Sequence, residues 1–309
     1  MNRPPAGATG SRERDTRYMI GQAAFEASAL PAGLHLVATP IGNLADITIR
    51  ALQALAGADI VACEDTRTSR VLLDRYGIRA RTTAYHEHNA AVAGPKLIEA
   101  MASGRSVALV SDAGTPLLSD PGYRLVEETL AAGLPVTPLP GPSALLAALT
   151  ASGLPTDAFF FAGFLPVKAG QKRTRLESLD AVPGTLVFYE SPRRLAATLA
   201  AMAEIFGDRP AAVAREMTKA FEEVRRDSLP ALAAHYGETG APKGEIVICV
   251  APPGEAAVPA AEDVDALLVE LSAVMPASRA AAQAARQTGL PKQDLFARIV
   301  ALKDRNGDG

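Results

Sequence analysis

Five short stretches hold most of the residues whose types and spacing could do chemistry. They are "TPIGNL" (39–44), "EDTR" (64–67), "HEHN" (86–89), "VSDAGTPLLSDPG" (110–122) and "PGPS" (140–143). Each follows an apolar run of strand length. In an open α/β sheet, ligands bind beyond the carboxyl ends of the strands. Five polar or Gly/Pro turns at one edge would therefore frame a site. "TPIGNL" has one glycine, Gly42, so the G-x-G-x-x-G dinucleotide fingerprint is absent, and no phosphate-cradling GxxxxGK[ST] occurs.

The fourth stretch holds no Lys and no Arg. Its Asp112 stands at a strand end, where a carboxylate disfavours an anion and suits a cation, a ribose hydroxyl or an amine. A sulfonium nucleoside such as S-adenosylmethionine offers all three. Asp120, followed by Pro121, reads instead as a helix N-cap. Asp65 reads the same way, with Arg67 as a local ion-pair partner. Glu64 ends a buried strand at the same edge and has no such role. His86 and His88 flank Glu87 at strand spacing, but no cysteine pair lies near, so polar loop residues are favoured over a metal site.

The elements that must position these residues alternate. Strands are expected at 34–38, 59–64, 81–86, 107–111 and 135–140. Helices are expected at 46–58 (capped by Asp46), 68–77, 92–103, 121–132 and 142–152. Such βαβ alternation predicts an open, mostly parallel sheet covered on both faces. From Leu154 a mixed α/β pattern begins, with strands at 158–164, 184–191, 210–216 and 244–251 and a hairpin around 213–227. The expected division is a mobile extension (1–32), an α/β cofactor domain (33–153), a mixed α/β domain (154–251), a Pro/Ala linker (252–263) and a helical extension (264–305). The last reads either as a helix-turn-helix with its turn at Gly289 or as a small three-helix cap.

Composition sets bounds. The chain has 309 residues, 48% hydrophobic and 21% charged, with a net charge of −3. That is globular and lacks the overall basicity of a nucleic-acid binder, so any RNA contact needs local patches. No run is long enough to span a bilayer. Two cysteines, Cys63 and Cys249, fit a reducing cytoplasm.

The stretches "TPIGNLADIT", "CEDTRTSRVLL", "HEHN", "VSDAGTPLLSDPG", "LPGPSA", "GFLP", "FYESPRR", "REMTK" and "KGE" occur in this order. Together they resemble the RsmI family, bacterial 16S ribosomal RNA (cytidine-2′-O)-methyltransferases of the tetrapyrrole methylase superfamily (class III methyltransferases). The resemblance covers roughly residues 34–250, and the C-terminal helices resemble that family's helix-turn-helix extension. It implies a two-domain tetrapyrrole methylase-like fold with S-adenosyl-L-methionine in the cleft. It further implies a homodimer, no membrane, and methylation of the ribose of cytidine 1402 on the assembled small ribosomal subunit.

By motif, the resemblance assigns the cofactor pocket to Pro40, Ile41 and Gly42, to Ser111, Asp112, Ala113, Gly114 and Thr115, and to Pro140, Gly141, Pro142 and Ser143. Phe161, residues 163–166 and Lys243-Gly244-Glu245 are further candidates. Methyl transfer to a hydroxyl calls for a base. Glu216 and Lys219 are the catalytic candidates, with Glu64, Glu87 and Glu190 also at strand ends. RNA phosphates call for cations; Lys168, Lys172, Arg173, Arg175, Arg193 and Arg194 are the candidates, with Arg225 and Arg226 in the hairpin. Two rival readings remain: methylation of a tetrapyrrole carbon or protein side chain, and a ligand-sensing nucleic-acid binder that reads duplex through residues 264–303.

Overall fold

The computed structural model describes residues 15–119, 122–254, 261–288 and 290–307; Asp120 and Gly289 lie outside them, so their expected cap and turn do too. The chain divides into two compact units. One comprises the residues up to Leu179 with Gly184–Ala251, the other Asp180–Pro183 with the chain from Pro252 onward.

The first unit opens with a hairpin, β1 (Arg17–Ile20) and β2 (Ala23–Glu26). Then follow β3 (Gly33–Val37), α1 (Ile49–Gly57), β4 (Ile60–Cys63), α2 (Thr66–Arg75), β5 (Thr82–Ala84), α3 (Ala90–Ala102), β6 (Ser106–Val110), α4 (Tyr123–Ala131), β7 (Val136–Leu139) and α5 (Ala144–Ser152). Residues 17–26 are thus not part of a mobile extension. Tyr18 is buried and stacks on Phe25, and the Met19 N–H donates to the Tyr76 carbonyl (2.7 Å). The Gly/Ala/Pro-rich composition concealed one aromatic anchor.

Strands β3 to β7 form one parallel sheet in the order β5-β4-β6-β3-β7. All five residues of β6 are buried, which is why it reads as a continuous apolar run. Val37, Val61 and Val110 face Leu52 and Leu55 of α1. Leu34, Ile60 and Leu109 face Leu97 of α3 and Leu125 of α4 on the other side. Thr48, not Asp46, caps α1: its Oγ1 accepts from the Ala51 N–H (3.1 Å), while Asp46 closes a preceding 3-10 turn. Asp65 caps α2 as the sequence indicates.

The second sheet is built from β8 (Phe159–Phe164), β9 (Thr185–Glu190), β10 (Pro210–Arg215), β11 (Glu223–Ser228) and β12 (Ile246–Val250), in the order β11-β10-β12-β9-β8. Only β8 and β9 run parallel, and β10–β11 is the expected hairpin. Helices α6 (Ala169–Glu177), α7 (Leu195–Phe206) and α8 (Leu229–Thr239) connect them. The boundary expected near residue 153 does not separate two cores. Helix α5, ended by Gly153 in the left-handed conformation, sets Leu145 and Leu149 against Val187, Ala212 and Cys249 of the second sheet. Each such buried leucine stabilises the contact by about 1.5–3 kcal/mol.

The second unit holds α9 (Ala261–Val274), α10 (Ala277–Thr288) and α11 (Lys292–Gly307). They share a core of Leu268, Leu271, Leu295 and Ile299 against Ala280 and Ala284, whose small side chains let the helices approach closely. Asp265 binds Arg298 across α9 and α11 (2.5 Å).

Candidate functional site

The parallel sheet changes direction at β3: β4 follows on one side and β7 lies on the other. The loops after β3 and β6 meet there. Thr39 and Gly114 exchange backbone hydrogen bonds (2.9 and 3.0 Å). The Thr115 hydroxyl donates to the Pro142 carbonyl (3.1 Å) and so ties in the loop after β7. Three of the five turns read from the sequence are therefore one connected structure.

They wall a cavity of about 480 Å³, within the range of small-molecule sites. From the first sheet it is lined by Ile41, Glu64, Asp112–Thr115 and Ser143, and from the second by Phe164, Tyr189, Glu190, Met217 and Gly244–Val247. The expected pocket residues divide accordingly. Ile41, Asp112, Ala113, Gly114, Thr115 and Ser143 face the cavity. Ser111 lies beneath it, its hydroxyl donating to the Ala113 carbonyl (3.1 Å). Gly141 and Pro142 line a neighbouring cavity of about 310 Å³. Pro40, Gly42 and Pro140 line neither, although Pro40 and Gly42 shape the first loop. Phe164, Gly244 and Glu245 face the cavity as candidates; Phe161 packs edge-on against Tyr189 instead (4.9 Å). Tyr189 and Met217 escaped the sequence reading. Tyr189 lies within an apolar strand, and Met217 sits between Glu216 and Thr218, two non-glycine residues at positive φ that no local pattern announces.

The structure brings Glu216 and Lys219 together (2.8 Å) but not as an acid–base pair. Hydrogen bonds from Lys219 and the Glu245 backbone hold the Glu216 carboxyl below its ordinary value. Burial pulls the Lys219 ammonium down, but Glu216 and Glu245 together raise it above its usual value. A lysine base needs the opposite shift. The pair is a clamp. A Cβ on Gly42 would lie 2.4 Å from the Lys219 stem, and one on Gly244 (φ +102°) 2.3 Å from the Glu216 carboxyl carbon. Both glycines are bare because these two side chains lie across them. The Thr218 hydroxyl accepts from the Asn43 N–H (3.3 Å), so the turn after β10 holds the loop after β3.

The expected cationic face also divides. Lys172 is buried, with its ammonium donating to the Thr198 hydroxyl (2.9 Å), which in turn donates to Glu190 (2.6 Å). Arg194 binds Glu190 (3.1 Å) and donates to the Leu165 carbonyl (2.7 Å). Neither is free for phosphate. Helix spacing concealed that Lys172 lies on the inner face of α6. Arg173 pairs with Glu177 and Glu204, and Arg175 lies over the Phe160 ring. Arg226 donates to the Ala151 and Ser152 carbonyls at the end of α5, and Arg225 lies 3.8 Å from Glu223. Among the described residues, Lys168 and Arg193 are exposed and make no ion pair. No metal-binding cluster occurs among the described residues, and no helix there is long and apolar enough to cross a membrane.

A parallel sheet and a mixed sheet closing on one ligand-sized cavity define a two-sheet α/β small-molecule-binding class. The chain belongs to the tetrapyrrole (corrin/porphyrin) methylase family, whose model matches residues 33–233; an RsmI C-terminal HTH domain matches residues 258–303. It is 65% identical to ribosomal RNA small subunit methyltransferase I of Mesorhizobium japonicum, covering 94% of this chain and 99% of that protein. It is 46% identical to the protein of that name from Pseudomonas aeruginosa, covering 88% and 98%. Among solved structures, diphthine synthase shares the fold with a TM-score of 0.57 at 17% identity, covering 71% of this chain and 89% of that one. Uroporphyrin-III C-methyl transferase from Thermus thermophilus, complexed with S-adenyl homocysteine, gives a TM-score of 0.51 at 21% identity, covering 70% and 96%.

Proposed function

We propose that the chain is an S-adenosyl-L-methionine-dependent methyltransferase that modifies the ribose 2′-hydroxyl of cytidine 1402 in 16S ribosomal RNA, on the small ribosomal subunit. The observation that carries this reading is the cavity itself, framed by the loops after β3, β6 and β7, in a chain so similar along its length to ribosomal RNA small subunit methyltransferases I. The residues present fit the donor. Asp112 gives the first-sheet wall of the cavity a carboxylate suited to a sulfonium. The N-terminus of α5 at Ser143 suits a carboxylate. Ile41 and Met217 supply apolar surface. When bound, the donor supplies an electrophilic methyl group.

Lys168 and Arg193 are the cations we assign to RNA phosphates. A homodimer suits the edge strand β8, which exposes Phe159, Phe160 and Phe164. A reducing cytoplasm suits the two free, buried thiols; burial pushes Cys249 up to about 12.

The test is to incubate the protein with methyl-labelled donor and either small-subunit particles or tetrapyrrole precursors, then map the label. One ribose methyl at the assigned cytidine is expected. Label on the tetrapyrrole, or none on the particle RNA, would refute the reading.

A further inference from the structure

We propose that Glu64 is the catalytic residue that accepts the proton of the attacking hydroxyl, at the first-sheet wall of the cavity. The inference rests on the methyl-transfer reading above and deepens it.

Strand register fixes the place. Cys63 ends β4 opposite Ala84 of β5 and Val110 of β6. The next residues along these parallel neighbours, Glu64, Tyr85–His86 and Ser111–Asp112, therefore emerge at one level of the sheet edge. Glu64 and Asp112 both face the cavity. The Asp112 carboxylate is anchored by the Asp65 N–H (3.0 Å), which locks the two strand ends together.

The other carboxylates at the cavity are engaged. Glu190 accepts from the Ser191 N–H, the Thr198 hydroxyl and Arg194. Glu216, just behind the second-sheet wall, accepts from Lys219 and the Glu245 N–H, and Glu245 binds Lys219 as well. Among the described residues Glu64 makes no ion pair, and the Asp112 backbone N–H exerts only a minor lowering pull on its carboxyl. Burial first, and the Asp112 charge second, push the Glu64 carboxyl above its ordinary value, against a smaller opposing pull from His86. A carboxylate so placed binds a proton more readily than an exposed one. His86 holds a buried Nδ1 with no hydrogen-bond partner among the described residues, so the β5 side of Glu64 is polar and incompletely satisfied.

The step balances. The hydroxyl oxygen forms the new O–C bond to the methyl carbon. The C–S bond breaks with its electron pair going to sulfur, and the hydroxyl proton passes to the Glu64 carboxylate. A cationic sulfonium and an anionic carboxylate become a neutral thioether and a neutral acid, so charge is cancelled inside a partly desolvated cavity.

The experiment uses the full chain with small-subunit particles and saturating donor. It measures single-turnover transfer for the wild type, Glu64→Gln and Glu64→Asp across pH, together with donor affinity by calorimetry. Three charged or titratable groups shape the Glu64 titration: Asp112 at the end of β6, His86 at the end of β5, and Asp65 on its own segment. The wild-type rate should fall as pH drops through the raised Glu64 value. Glu64→Gln should lose about a hundredfold or more in rate, within the usual range for a general base. It should also lose that acid limb while binding donor within about threefold of wild type. Glu64→Asp should recover part of the rate. A Glu64→Gln rate within threefold of wild type, or an unchanged acid limb, overturns the assignment. Wild type that transfers no methyl to the particles overturns the methyl-transfer reading first, and the assignment with it.

Discussion

The two walls of the cavity handle charge in opposite ways. On the second-sheet side, Glu190 is closed by Ser191, Thr198 and Arg194, with Lys172 behind, and Glu216 is closed by Lys219 and the Glu245 backbone. On the first-sheet side, among the described residues, Glu64 makes no ion pair and His86 holds an unpartnered nitrogen. A saturated carboxylate has spent its hydrogen-bonding capacity on holding shape, whereas an unsaturated one at a cavity wall keeps it for a ligand. The difference separates groups that build the pocket from groups that act in it. Four of the charged residues singled out in the sequence, Glu216, Lys219, Lys172 and Arg194, are engaged on that second side.

The strongest way to break this contrast is Glu190→Ala. If Glu190 is a structural anchor, its loss strands buried Lys172 and Arg194 and costs about 3–5 kcal/mol, read as a lowered denaturation midpoint. Near-native stability with lost activity would move Glu190 to the acting group. Gly244→Ala comes next. A Cβ there collides with Glu216 at a positive φ, which costs about 1–3 kcal/mol and should loosen donor affinity through the turn after β10.

How much of this was legible in the sequence follows from range. The parallel sheet was, because its inner strands β3, β4 and β6 are almost wholly buried and end in polar or Gly/Pro turns. The loops after β3, β6 and β7 were legible for the same reason. The hairpin at 17–26 was not, since its order depends on Tyr18 meeting the first core far along the chain. Nor was the burial of Lys172, set by Thr198 one helix later. Helix α5 read correctly as a helix, but no local pattern says that it packs on the second sheet.

Lys219→Met gives a smaller effect and sharpens the clamp reading. The folded-state Glu216 carboxyl is lowered, so its stabilising contribution is full above its ordinary value of 4.5 and fades as pH falls through the lowered one. Wild type should therefore exceed Lys219→Met in stability at pH near 7 by less than about 1 kcal/mol, and the gap should close as pH falls through the lowered Glu216 value. Transfer should stay within about tenfold of wild type, since a larger loss would restore a chemical role for the lysine. The smallest expected change is in salt dependence. Reversing Lys168 and Arg193 should each lower the salt slope of RNA binding by about one, while Arg173→Glu, already paired twice, should change it less.

A methyl donor seated against the first-sheet loops should leave a footprint in amide hydrogen exchange measured with and without S-adenosylhomocysteine. Slowed exchange is expected in segments 39–43, 64–65, 111–115 and 141–145, and unchanged exchange in α10. Binding without protection at 111–115 would contradict it.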